Sequence, residues 1–140
     1  MIALMDTSQS LHGDPELLAK ANVLLLTRRM IKEERPMKEI QFSSTGQTIE
    51  YDMTTKNTMS EDFLQFLNVS FGGDNDFCTA VKYFIDKLRS KEWNASDVAF
   101  IFDGPTEAGY EIVRNSWNSL KQTNDTRLFG LIVGNDRPWI

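Results

Sequence analysis

The run Ile2-Ala3-Leu4-Met5-Asp6-Thr7-Ser8-Gln9-Ser10-Leu11-His12-Gly13-Asp14-Pro15-Glu16 decides how the rest of the chain is read. The apolar stretch from Ile2 to Met5 is short and wholly apolar and reads as a buried strand or a helix fragment. Small oxygen-bearing side chains follow at alternate positions, Asp6, Ser8 and Ser10. A helix-start signal comes next: Asp14 as N-cap, Pro15 at the first helical position, and Glu16 beside it, where a negative charge suits the helix dipole. A buried strand that passes through an oxygen-rich turn into a helix is the opening of a layered α/β fold.

Reading outward, Leu17, Leu18, Ala21, Leu24 and Leu25 recur at helical spacing and predict the inward face of that helix, which Pro36 closes. The period then changes. Met37–Phe42 and Thr48–Met53 read as two strands around Ser43-Ser44-Thr45-Gly46-Gln47, a hairpin. Thr58-Met59-Ser60-Glu61 is a capping-box pattern ahead of Phe63, Leu64, Phe66 and Leu67, which predicts a short helix. The glycine-bearing loop Phe71-Gly72-Gly73-Asp74-Asn75-Asp76 opens a further helix with Phe77, Val81, Phe84, Ile85 and Leu88 on one face. Val98–Phe102 is a strand buried on both faces, ending at Asp103-Gly104-Pro105. Glu107–Leu120 reads as helix and Leu128–Val133 as one more buried strand. The alternation predicts a mostly parallel central sheet with one antiparallel edge strand and helices packed on it in layers, in one domain over residues 1–140.

Composition narrows the function. The net charge is −5 and the basic residues are scattered, which argues against nucleic acid. A single cysteine, Cys78, rules out an internal disulfide and fits a reducing, cytoplasmic setting. No apolar stretch approaches the roughly 18 residues that span a bilayer. His12 is the only histidine, so His-based triads are not available. No G-x-x-x-x-G-K-[ST] loop is present, so no ATP site of that type is expected.

In open parallel sheets, ligands bind outside the carboxyl ends of the strands. Three oxygen-bearing segments belong there: Asp6 to Ser10, Asp74 to Asp76, and Asp103. An extended strand separates residues i and i+2 by roughly 6.6 Å, so Asp6, Ser8 and Ser10 face a common centre only if the chain curls as it leaves the sheet. Carboxylate and hydroxyl oxygens without imidazole or thiolate select a hard cation, Mg²⁺, Mn²⁺ or Ca²⁺.

Asp6-Thr7-Ser8-Gln9-Ser10 resembles the D-x-S-x-S motif of von Willebrand factor A (VWA) domains, the first element of their metal-ion-dependent adhesion site (MIDAS). Phe63-Leu64, Phe71-Gly72-Gly73, Leu88-Arg89-Ser90-Lys91-Glu92-Trp93 and Ala99-Phe100-Ile101-Phe102-Asp103 extend the resemblance to the intracellular bacterial ViaA/CoxE-like subgroup. It implies a three-layer Rossmann-like VWA fold and a metal site built from Asp6, Ser8, Ser10, Asn75 and Asp103. At the second loop the subgroup has Gly-Gly-Thr-Asp where this chain reads Gly73-Asp74-Asn75-Asp76. Asn75 therefore stands in for a threonine ligand, and its amide oxygen could either join the cation or cap the helix starting near Phe77. The family pattern also has a further strand and helix, for which the residues after Val133 offer no counterpart.

With Asp6 and Asp103 balancing a divalent ion, an open coordination position would attract a Glu or Asp of a partner protein. The resemblance implies that this partner is a MoxR-type AAA+ ATPase or its client, and that the domain is not an enzyme. Two rivals stand beside this reading. One keeps the fold as a metal-independent scaffold. The other is a Mg²⁺-dependent, aspartate-based phosphotransferase with Asp6 as nucleophile. That rival is disfavoured because Ser8 occupies the position where D-x-D phosphatases carry their acid-base aspartate.

Overall fold

The structure is a computed structural model that describes residues 1–54, 61–74, 76–90, 97–103, 111, 114, 115, 118, 121 and 126–133. The element order is β1 (Ile2–Asp6), a 3-10 turn (Gln9–Leu11), α1 (Asp14–Lys32), β2 (Lys38–Phe42), β3 (Thr48–Asp52), α2 (Glu61–Asn68), α3 (Phe77–Arg89), β4 (Asp97–Phe102) and β5 (Arg127–Ile132). The strands form one five-stranded sheet in the order β3-β2-β1-β4-β5. β1 pairs in parallel with β2 and β4, and β4 with β5, whereas β2 and β3 form the antiparallel hairpin. The predicted architecture is therefore present.

Chain order reverses across β1. β2 lies to one side of β1 and β4 to the other, so the carboxyl ends of β1 and β4 open on a switch point of the topology. Every residue of β1 is buried, as the apolar run predicted. One face of the sheet packs Ile2, Leu4, Ile40, Phe42, Val98 and Phe100 against Val81, Phe84, Ile85 and Leu88 of α3. The opposite face packs Ala3, Met5, Tyr51 and Ile101 against Ala19, Val23 and Met30 of α1 and Phe66 of α2. Helices thus cover both faces, and α/β layering follows from the period-2 alternation of β1 between them.

Three local expectations change. First, α1 begins one residue earlier than predicted: its N-cap is Gly13, at φ 89°, and Asp14 already lies inside the helix. Second, α1 is turned the other way. Leu17, Leu18 and Leu25 are 67%, 53% and 63% exposed, while Glu16, Ala19, Lys20, Val23, Thr27 and Met30 face inward. The leucine-rich face loses because Glu16 and Lys20 find buried polar partners, and because small Ala19 and Val23 allow the helix to approach the sheet. Third, β5 was expected to be buried, yet Leu128, Phe129 and Leu131 are 43%, 50% and 37% exposed. Among the described strands it lies at the sheet edge, paired only to β4. The capping-box residues 58–60 and most of the helix expected over 107–120 lie outside the described residues. Glu111, Arg114, Asn115, Asn118 and Lys121 are helical and exposed.

Candidate metal centre

The first loop curls as the oxygen spacing requires. Asp6 ends β1 with no exposed surface, and its Oδ1 accepts the backbone N–H of Ser8 at 2.8 Å, a local turn that aspartate favours. Ser8 then leads into the 3-10 turn, which brings the Ser8 and Ser10 hydroxyls within 2.9 Å of each other. Asp6, Ser8 and Ser10 form one cluster. Thr7, the first of the two positions that the motif leaves open, anchors the curl: its N–H donates to Phe42 O at 2.9 Å and its hydroxyl to the same oxygen at 3.1 Å.

Asp103 follows β4 directly and is half-buried. Because β4 lies beside β1 in register, with Met5 opposite Ile101, Asp103 reaches the same sheet margin as Asp6. Burial pushes the Asp6 carboxyl up to about 6; hydrogen bonds from Ser8 oppose the rise, and the negative charge of Asp103 adds to it. A buried carboxyl beside a second negative charge resists ionisation, and a divalent cation at Asp6 would remove that penalty.

The second loop is stitched to the first. Gly72 N–H donates to Thr7 O and Gln9 N–H to Gly73 O, both at 2.9 Å. The β2–β3 turn clamps it from the other side. Ser43 Oγ accepts from Gly73 N at 3.1 Å and donates to Asp74 O at 2.8 Å, while Ser44 Oγ accepts from Asp74 N at 2.8 Å. Gly73 is required by this close approach, since a Cβ there would lie 2.3 Å from Ser44 Oγ. Asn75, the predicted ligand from this loop, lies outside the described residues.

The helix cap considered for Asn75 belongs to Asp76. Its carboxylate accepts Thr79 N at 3.0 Å, Thr79 Oγ1 at 2.7 Å and the Thr45 hydroxyl. These donors, Thr45 foremost, hold its carboxyl below the ordinary range. Asp76 is thereby committed to the start of α3. His12 is a loop residue, as expected, with Nδ1 3.1 Å from Glu16 Oε2 and its ring over Gly72.

Among the described residues no group of three His, Cys, Asp or Glu side chains is placed to hold a metal. The candidate centre therefore rests on Asp6 and Asp103 as charges and on Ser8 and Ser10 as neutral donors, a set suited to a hard divalent ion. Sequence reasoning missed Thr7 and the turn Ser43-Ser44-Thr45. The only signal for the turn was its hydroxyl-rich composition, which also describes any exposed hairpin.

The fold and this sheet margin define the class: a layered α/β domain with a mostly parallel sheet and an oxygen-lined edge. No family model matches the chain. It is 27% identical over 134 residues to the regulatory protein ViaA of Proteus mirabilis (strain HI4320), a match covering 96% of this chain and 27% of that protein. The chain thus spans about a quarter of the length of that relative. Its fold is similar to the crystal structure of an aerotolerance-related membrane protein from Bacteroides fragilis carrying multiple mutations to serines, with TM-score 0.62 and 18% identity. That likeness covers 95% of this chain and 66% of the other. Among the described residues no helix is long and apolar enough to cross a membrane.

Proposed function

We propose that this chain is a divalent-metal-dependent protein-interaction module in which Asp6, Ser8, Ser10, Asn75 and Asp103 hold Mg²⁺, or Mn²⁺ or Ca²⁺ in its place. The observation that carries this reading is the buried Asp6 carboxyl, curled against Ser8 and Ser10 and facing the charge of Asp103. Two aspartates neutralise a divalent ion, and the hydroxyls add no charge. An incoming carboxylate from a partner would then complete the shell, and its bond would strengthen as the contact loses water. Asp76 is committed to the cap of α3, where its carboxylate accepts from Thr79.

The similarity to a regulatory protein supports a binding role over catalysis. We assign the partner as a MoxR-type AAA+ ATPase or its client, and the cytoplasm as the place of action. The test is binding of a purified MoxR-type ATPase from the same organism, measured with Mg²⁺ and with EDTA. Mg²⁺-dependent association that disappears in Asp6→Ala supports the proposal. Equal association in all four conditions supports the metal-independent scaffold instead, and Mg²⁺-dependent phosphomonoester turnover lost in Asp6→Asn supports the phosphotransferase.

A further inference from the structure

The buried side-chain polar atoms without a hydrogen-bond partner, among the described residues, fall in one place: both carboxyl oxygens of Glu39, Oε1 of Gln41 and the hydroxyl of Tyr51. Glu39 and Gln41 have no exposed surface and Tyr51 has 1%. β2 sets Glu39 and Gln41 on one face, and the hairpin register sets Glu39 opposite Tyr51. Glu39 also pairs with Ala3 in the middle of the sheet, away from the strand end that carries Asp6. Buried polar groups in native folds are otherwise nearly always partnered, so this cluster calls for an explanation.

The element that closes over it is α2. Phe66 packs edge-on to Tyr51 with ring centroids 6.2 Å apart, and Gln41 Nε2 donates to Phe66 O at 3.1 Å. The backbone N–H of Asp52 donates to Asp62 Oδ2 at 3.0 Å. Lys20 Nζ reaches from α1 to the far end of α2, donating to Leu67 O and Val69 O, each at 3.0 Å, while it pairs with Glu16 Oε1 at 2.9 Å. An eight-residue helix does not persist in water on its own, so these contacts decide whether α2 stays in place.

Ionisable groups surround Glu39 unevenly. Lys20 is the cation acting on it, Glu16 shares that cation, and Tyr51 and Asp62 stand on the hairpin and on α2. Without donors, a carboxylate here would be a charge in a dry interior, which folding strongly opposes. Burial accordingly holds the Glu39 carboxyl well above the ordinary range against the pull of Lys20.

We propose that α2 is a proton-operated lid: it stays docked on β2 and β3 while Glu39 is protonated, and it lifts when Glu39 loses that proton and its carboxylate takes up water. Lys20 gives the switch its direction. The ammonium that now holds the carbonyls of Leu67 and Val69 is also the cation attracted by an ionised Glu39, so a charge there weakens the far end of α2. The lid does not depend on whether the sheet margin binds a metal.

The test is hydrogen exchange at the backbone amides of residues 61–69 in the metal-free chain, from about pH 5 to about pH 9, corrected for the intrinsic rate. Where only the open state is ionised, linkage makes the opening equilibrium rise about tenfold per pH unit. The expected result is that slope in α2, with shallow denaturant dependence, while β1 and β4 exchange only by global unfolding. In Glu39→Gln the slope should vanish. Exchange of α2 in step with β1 and β4, or an unchanged slope in Glu39→Gln, would overturn the proposal. Should that variant fail to fold, a ¹³C titration of the wild-type Glu39 carboxyl decides. A proton retained at neutral pH supports the lid, and ionisation near 4.5 with α2 docked refutes it.

Discussion

At the scale of single residues, Asp6 combines burial with a like-charged neighbour, and its behaviour with pH has a definite sign. In the folded state its carboxyl is raised from 3.8 to about 6, so the unfolded chain ionises first as pH rises. The contribution of Asp6 to stability is greatest below 3.8 and falls through the interval up to about 6, by about 3 kcal/mol in all. In EDTA, Asp6→Asn should raise the melting temperature near neutral pH by about 5–10 °C and change it little near pH 4. Thermal melts at the two pH values check this, and equal melting of the two proteins near neutral pH would contradict it. The identities of Asp6, Ser8 and Ser10 were legible because their spacing requires a curl. Thr7 was not, because a threonine that bonds to a neighbouring strand looks in sequence like any other turn residue.

Among the elements, α1 teaches most about what periodicity leaves open. Its leucines and its true inward face both recur at helical spacing, and the choice between them depends on partners far along the chain. Lys20 is 7% exposed because the carbonyls of Leu67 and Val69, 47 and 49 residues away, receive its protons. Met30→Ala should therefore destabilise the fold by about 2–5 kcal/mol, while Leu17→Ala should change stability by less than about 0.5 kcal/mol. Urea unfolding of both variants gives the comparison, and a larger loss in Leu17→Ala would restore the leucine face. The clamp between the β2–β3 turn and the second loop makes a separate prediction. Gly73→Ala drives a methyl into Ser44 Oγ and should lose about 1–3 kcal/mol, part of which Ser44→Gly recovers in the double variant. Strictly additive losses would mean that the two loops do not press on each other.

Over the whole molecule, strand order and helix layering were readable because buried strands and amphipathic helices alternate, and parallel neighbours need crossovers. The exposed edge β5 was less readable, since an apolar run of six residues carries the same signature in the centre of a sheet as at its margin. The candidate centre depends on this topology: β1 and β4 are adjacent although about a hundred residues separate Asp6 from Asp103. A cation bound only by the native state should stabilise it, by about 2.7 kcal/mol at a concentration one hundred times its Kd. The most direct measurement is a Mn²⁺ titration followed by electron paramagnetic resonance, with Mg²⁺ as competitor, on the wild type, Asp6→Ala and Asp103→Ala, each confirmed folded by circular dichroism. The account predicts one Mn²⁺ per wild-type chain, displaced by Mg²⁺, and loss of that binding in both variants. Undiminished binding in either variant, or none in the wild type at millimolar ion, would contradict it.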